Sequence, residues 1–212
     1  MIHICYKLIF LLLITSLNIH ANTNVNINKN PIIIKEIDKM FLFTYYNMGM
    51  KYGKIGQYKK AIEVYEKVIK INPQDCYAYY NMGIDYGKLE EYDKAIASYK
   101  KALELNPEDY QAYTNLFEIQ LISNLNFDKE LESKYISLFK EDKDYFIVHD
   151  MLKLLSKLSH NKKVDINIWI DTYKEQSLSD WSFAELETWA KKKDFPIKAK
   201  LLDAIEIFKT KQ

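Results

Sequence analysis

The sequence predicts an all-α protein in which helices pair as antiparallel hairpins and the hairpins stack on one another. Three observations support this fold class. A 34-residue segment occurs twice in succession, apolar side chains recur within it every three or four positions, and each copy closes with the pair Asn72-Pro73 or Asn106-Pro107. Such spacing places side chains on one face of a helix, and a proline ends the helix before it.

Residues 1–21 have the order of features typical of a secretory signal peptide. Lys7 precedes an apolar run from Leu8 to Leu17, and Ala21 offers a small residue before a polar stretch. The run is shorter than the roughly 20 residues that cross a bilayer as a helix. We expect export to the periplasm with cleavage after Ala21, so that only the signal peptide contacts the membrane. The alternative is that this segment is retained as an anchor.

Two repeats occupy residues 42–75 and 76–109, after a leader at 22–41 for which we expect a polar stretch and an N-terminal turn or helix. They align without a gap, and half of their positions are identical. Each copy has the same signals in the same order: Tyr45-x-x-Met48-Gly49-x-x-Tyr52, Ala61-x-x-x-Tyr65 and Pro73, then Tyr79-x-x-Met82-Gly83-x-x-Tyr86, Ala95-x-x-x-Tyr99 and Pro107. The pattern resembles the tetratricopeptide repeat (TPR) family, with Tyr in place of Trp and Met in place of Leu. The resemblance implies helical hairpins stacked as a short right-handed solenoid.

Small residues mark the expected crossing point of the two helices in each repeat. Gly49 with Ala61 in the first repeat, and Gly83 with Ala95 in the second, would let the backbones approach closely. We expect the glycine and the alanine of each pair to face each other.

Residues 110–127 begin like a third repeat and then depart from the pattern. Phe117 stands where the glycine should be, Lys129 occupies the place of the small residue, and Glu141 that of the proline. A phenyl ring at the close contact would force the next helix away. We therefore expect only the first helix of a third repeat.

The C-terminal region, residues 128–212, keeps helical spacing of apolar side chains but loses the 34-residue period. We expect a helical cap that seals the open end of the repeat stack, with Trp169, Trp181 and Trp189 as core residues. The alternative is a small helical domain with a function of its own.

Composition and charge exclude several classes of partner. The chain has 30 Lys and Arg against 29 Asp and Glu, and every one of the cations is Lys. A neutral chain has no field to hold nucleic acid, and a chain without Arg has no guanidinium for bidentate recognition of phosphate. Cleavage would leave Cys76 as the sole cysteine, so no intramolecular disulfide is expected and Cys76 is interpreted as structural.

No spacing of residues in the sequence suggests catalysis, a metal site or a cofactor. His149 and His160 on one helix would lie about 16 Å apart, too far to share a metal ion. We expect His149 to be a surface or partly buried residue. The protein is interpreted as non-enzymatic, with no metal and no cofactor.

The candidate binding surface is the groove lined by the first helix of each repeat, because the TPR resemblance places these helices on the concave side. Helical spacing turns toward it Phe43, Tyr46, Asn47, Met50 and Lys54 in the first repeat, Tyr77, Tyr80, Asn81, Ile84 and Lys88 in the second, and Gln111, Thr114, Asn115 and Glu118 in the partial third. Three of these are asparagines that recur every 34 residues. An amide side chain can bind the backbone of an extended peptide. It can equally stabilise the repeat, and both interpretations stay open.

The sequence thus predicts an exported TPR scaffold or adaptor that binds a protein or an extended peptide. Two alternatives remain: a periplasmic enzyme or enzyme subunit with polar groups converging in the C-terminal half, and a self-associating structural protein of the envelope. TPR domains that clamp the C-terminal carboxylate of heat-shock chaperones use Lys and Arg beside an Asn. Only Asn81 matches that pattern, so this ligand class is not expected.

Overall fold

The computed structural model describes residues 31–160 except residue 124, together with isolated positions at 172, 187, 188, 191, 199, 202 and 206. The expected signal peptide at 1–21 and the three tryptophans lie outside the described residues. The chain divides into two compact units, residues 1–44 and 45–212, and the division falls within the first described helix.

The part of the chain that the structure describes in continuous stretches folds into seven helices and no strands, which confirms the all-α class. In chain order they are α1 (Pro31–Lys54), α2 (Tyr58–Ile71), α3 (Cys76–Lys88), α4 (Tyr92–Leu105), α5 (Tyr110–Ile122), α6 (Lys129–Phe139) and α7 (Lys143–Ser159). From α2 to α5 each helix packs on the next one along the chain, as stacked hairpins require. Among the described residues, no helix combines the length and the apolar character that a membrane span needs.

The linkers between repeats cap the helices on both sides. The side chain of Asp75 accepts a hydrogen bond from the backbone N–H three residues later, at 2.9 Å, and begins α3; Asp109 does the same for α5 at 3.0 Å. On the preceding side, Asn72 and Asn106 follow the last residues of α2 and α4 and donate their backbone N–H back into those helices. The segment Asn-Pro-x-Asp therefore ends one helix and starts the next, with an aspartate at the favoured N-cap position.

The two helices of each repeat cross where a tyrosine ring lies on a glycine. A Cβ added to Gly49 would sit 2.7 Å from ring atoms of Tyr65, and one added to Gly83 would sit 2.6 Å from the ring of Tyr99. These tyrosines, not the alanines, are nearest to the glycines, which corrects the pairing expected from sequence. The alanine and the tyrosine lie four residues apart on one helix face, and the longer side chain reaches the glycine.

Helix α5 contributes to a hydrophobic core cluster that also takes in buried side chains of α4, α6 and α7. Phe117, at the position of the repeat glycine, is fully buried and stacks on Phe127 at 5.0 Å between ring centroids. Helix α6 packs less extensively on α5 than α7 does. A ring in the place of the glycine excludes the close hairpin of the first two repeats, and α7 covers α5 instead.

Gly83→Ala tests the glycine–tyrosine contact. The new methyl group would clash with Tyr99, which is 3% exposed and has little room to move. We expect the free energy of unfolding, measured by chemical denaturation, to fall by roughly 1–3 kcal/mol. The control is Gly87→Ala in the same helix, where the methyl group meets only the end of the Ile119 side chain at 3.2 Å. The control should be neutral or stabilising by up to about 1 kcal/mol, because alanine favours helix. Equal effects of the two changes would contradict the contact.

Candidate functional site

The structure divides the fourteen predicted groove residues into three groups by exposure. Exposed side chains are those of Phe43, Asn47, Met50, Lys54, Tyr77, Lys88 and Gln111, and half-buried ones are those of Tyr46, Tyr80, Asn81, Ile84 and Asn115. Phe43 belongs to the first compact unit and is 72% exposed. In the second unit, the largest exposed apolar side chains of the set are Tyr77, 61% exposed, and Met50, 43% exposed.

Thr114 and Glu118 are buried, which corrects the prediction that they face a partner. They are 3% and 5% exposed, and the Thr114 hydroxyl donates a hydrogen bond to the backbone oxygen of Gln111 at 3.1 Å. Helix α5 packs against both α4 and α7, and most of its side chains are buried. The available part of the predicted surface therefore lies mainly on α1 and α3.

Half-buried tyrosines and asparagines join successive repeats. The side-chain N–H of Asn115 donates to the Tyr80 hydroxyl at 3.2 Å. One repeat earlier, the Tyr46 side chain makes the corresponding hydrogen bond with Asn81. Burial, assisted by the nearby carboxylate of Asp109, raises the pKa of Tyr80 to about 12, so its hydroxyl stays neutral. These contacts support the interpretation that Asn81 and Asn115 stabilise the stack of repeats.

The same two tyrosines also pack on the rings that cover the glycines. Tyr46 meets Tyr65 edge-on at 5.8 Å between ring centroids, and Tyr80 meets Tyr99 at 6.0 Å. The rings of Tyr46 and Tyr80 therefore pack within one hairpin, and their hydroxyls contact the next repeat. Asn47, in the first repeat, is exposed and remains open to a partner.

Asp85 on α3 is a charged residue of the groove helices that the sequence analysis did not single out. It is 4% exposed, and its Oδ1 lies 3.2 Å from the position of a Cβ on Gly53 of α1. Burial raises the pKa of its carboxyl group to about 7. Asp85 has no counterpart at the same repeat position, where Lys51 and Ile119 stand. Asp85 follows the buried residues Ala78 and Met82 at helical spacing, and this spacing could have identified Asp85 as buried from the sequence.

A second polar cluster lies between α6 and α7. Oε1 of Glu132 is 2.7 Å from Nζ of Lys153 and 3.3 Å from Nε2 of His149. His149 is 3% exposed, which corrects the expectation of a surface or partly buried residue, and its ring stacks on Tyr135 at 5.2 Å. Burial lowers the pKa of His149, although Glu132 acts in the opposite direction. The imidazole is enclosed by aromatic rings and is closed to a substrate in this conformation.

The described residues offer no ligand set for a metal ion: none of their groups of three or more His, Cys, Asp or Glu could hold one. Cys76 begins α3, and burial together with Asp75 raises the pKa of its thiol, which disfavours the reactive thiolate. Cys76 is thus consistent with a structural residue.

The fold defines a class of protein, an all-α repeat protein built from stacked helical hairpins. Comparison with known families identifies the repeats themselves: residues 43–75 and 76–109 each match the tetratricopeptide repeat, so the chain contains two such repeats. Repeats of this kind act in general as scaffolds for interactions between proteins. No curated protein matches the chain.

Asp85→Asn tests the protonation of the buried carboxyl group through the pH dependence of stability. The folded protein keeps a proton up to about pH 7 that the unfolded chain releases near pH 4, so ionisation costs stability as the pH rises through this window. We expect the variant to be more stable than the wild type at pH 8 by more than about 1 kcal/mol, with a much smaller difference at pH 5. Exposed Asp93→Asn is the control. A difference between variant and wild type that does not change with pH would contradict the assignment.

Proposed function

We propose that the protein is an exported adaptor that binds an extended segment of a partner protein on the groove face. The groove face is the surface of α1 and α3 formed by Asn47, Met50, Lys54, Tyr77, Ile84 and Lys88. The observation that carries the proposal is the exposure of Tyr77 and Met50, large apolar side chains on the helices that contribute the buried Gly83 and Gly49 to the stack. The match of both repeats to a family of interaction scaffolds supports it.

The chemistry of the groove face suits an extended segment with apolar side chains. The ring of Tyr77 and the thioether of Met50 would bury apolar surface, which is the main source of affinity at interfaces. Methionine also adapts to different partner shapes because it is flexible and polarisable. Asn47 supplies an amide that can both donate to and accept from a peptide backbone. Lys54 and Lys88 are exposed at the C-terminal ends of the same two helices.

The C-terminal helices support the role of a cap in this proposal. Ala95 of α4, Phe117 of α5 and Leu155 of α7 belong to one cluster of buried side chains. Such a continuous core closes the side of α5 that a further repeat would otherwise cover. Of the groove face, Ile84 packs against this core, whereas Tyr77 and Met50 stay exposed.

Tyr77→Ala tests the groove face. Peptides would be selected from a displayed random library against the purified chain, and their affinities measured by fluorescence anisotropy. The change should weaken binding by more than about 1 kcal/mol while leaving the melting temperature nearly unchanged, because the side chain is 61% exposed. Phe146→Ala, which removes a ring that is 38% exposed on α7, is the control and should bind normally. Equal binding by both variants would place the site elsewhere, and an increase in mass with concentration would favour self-association.

Export is proposed from the sequence of residues 1–21. Mass measurement of the protein isolated from its native host should give a chain that begins at Asn22 or within a few residues of it, because Ala21 ends the expected cleavage site. The control is the same measurement on a variant with Leu12 and Leu13 changed to Gln, which interrupts the apolar run and should leave the chain uncleaved. An intact Met1 on wild-type protein in the cytoplasm would contradict export.

A further inference from the structure

Asp85 stands out because nothing in the described chain compensates its charge. The residue is 4% exposed, and among the described residues none gives its carboxylate a hydrogen bond or an ion pair. Aspartate is rarely buried in proteins unless it is paired. The remaining 4% of its surface leaves the residue a narrow contact with solvent.

The surroundings of Asp85 leave space for a ligand atom on one side. Gly53 of α1 faces Oδ1, and a single added methyl group there would lie 3.2 Å from that oxygen. Because glycine has no side chain, the side of the carboxylate toward α1 is not covered by a Cβ. Asp85 lies on α3 and Gly53 on α1, which are the two helices of the groove face.

Among the described residues, two tyrosines whose pKa the charge of Asp85 influences are Tyr65 on α2 and Tyr99 on α4. Burial, and after it the charge of Asp85, raise the pKa of Tyr65; burial, Tyr80 and Glu118 raise the pKa of Tyr99, to which Asp85 adds a smaller contribution. Neither hydroxyl ionises near neutral pH, so neither competes with Asp85 for a cation. Aromatic rings beside a carboxylate also suit a cation, since the ring face attracts positive charge.

We propose that the carboxylate of Asp85 receives a lysine or arginine side chain of the bound segment at the opening beside Gly53. The inference rests on the proposed function and specifies its ligand as an extended segment with a cationic residue. A cation at this point would restore the ion pair that the buried carboxylate lacks. Charge-assisted hydrogen bonds of this kind are among the stronger ones in proteins. The site binds a positively charged side chain, whereas the TPR domains that bind heat-shock chaperones clamp a carboxylate.

The test begins with peptides from a displayed random library that bind the purified chain and lose affinity with Tyr77→Ala. These peptides should share a lysine or arginine. Changing that residue to glutamine should reduce affinity for wild-type protein at least tenfold, and should change affinity for Asp85→Asn by less than twofold. Affinity for the wild type should also rise between pH 6 and pH 8, as the carboxyl group ionises, and should not rise for the variant.

Gly53→Ala provides an independent check that retains the carboxylate. Its methyl group would occupy the space beside Oδ1 and should reduce the affinity of the cationic peptides at least tenfold. The matched controls are Gly87→Ala, which adds a methyl group elsewhere on α3, and Asp93→Asn, which removes an exposed carboxylate. Both should bind like wild type, and circular dichroism would verify that all variants fold.

The outcomes separate this inference from the proposed function. Peptides that need Tyr77 but share no cation, or that lose equal affinity in wild type and Asp85→Asn when the cation is removed, would overturn the role of Asp85 alone. Selected peptides that bind independently of Tyr77 would overturn the groove face and this inference with it. Retained binding in Gly53→Ala would overturn the position assigned to the cation.

Discussion

The contact between a glycine and a tyrosine ring is the constraint on which the rest of the repeat structure depends. Tyr65 and Tyr99 are almost fully buried, and each ring occupies space that exists only because Gly49 or Gly83 has no side chain. A second tyrosine, at position 46 or 80, then packs on that ring and extends its hydroxyl to the next repeat. Packing within one hairpin thus fixes the polar contacts between hairpins. The repeat ends where Phe117 replaces the glycine.

Stacking uses much of the surface that sequence spacing assigns to a partner. Asn81 donates to the backbone oxygen of Tyr77 at 2.8 Å and bonds to Tyr46, so its amide is engaged on both sides. Asn115 makes the equivalent hydrogen bond with Tyr80, one repeat later. A residue type that recurs every 34 positions therefore serves the contact between repeats, which recurs with the same period. Met50 and Tyr77, which differ in type from their equivalents, remain available to a partner.

The fold was predictable because its determinants are local and repeated. The 34-residue period, the Asn-Pro-x-Asp linkers and the glycine positions indicate helical hairpins, and α2 and α4 end, and α3 and α5 begin, at those linkers. Two features were not predictable from spacing. Alanine and tyrosine on one helix face fit the pattern equally, so the partner of the glycine had to come from the structure. Thr114 and Glu118 lie on α5 and His149 lies on α7, and the packing of α7 on α5 has no period in the sequence.

The buried charges of the two halves differ in a way that bears on function. In the C-terminal half, the carboxylate of Glu132 meets Lys153 at 2.7 Å, so its compensating charge comes from the chain itself. Between the repeats, Asp85 is buried to a similar degree as His149, and burial alone, with no cation of the described chain, accounts for the raised pKa of its carboxyl group. Leaving a buried carboxylate unpaired costs stability, and an apolar residue at this position would avoid the cost. The cost would be offset where a binding partner supplies the cation, and Asp85 lies between the two helices that form the groove face.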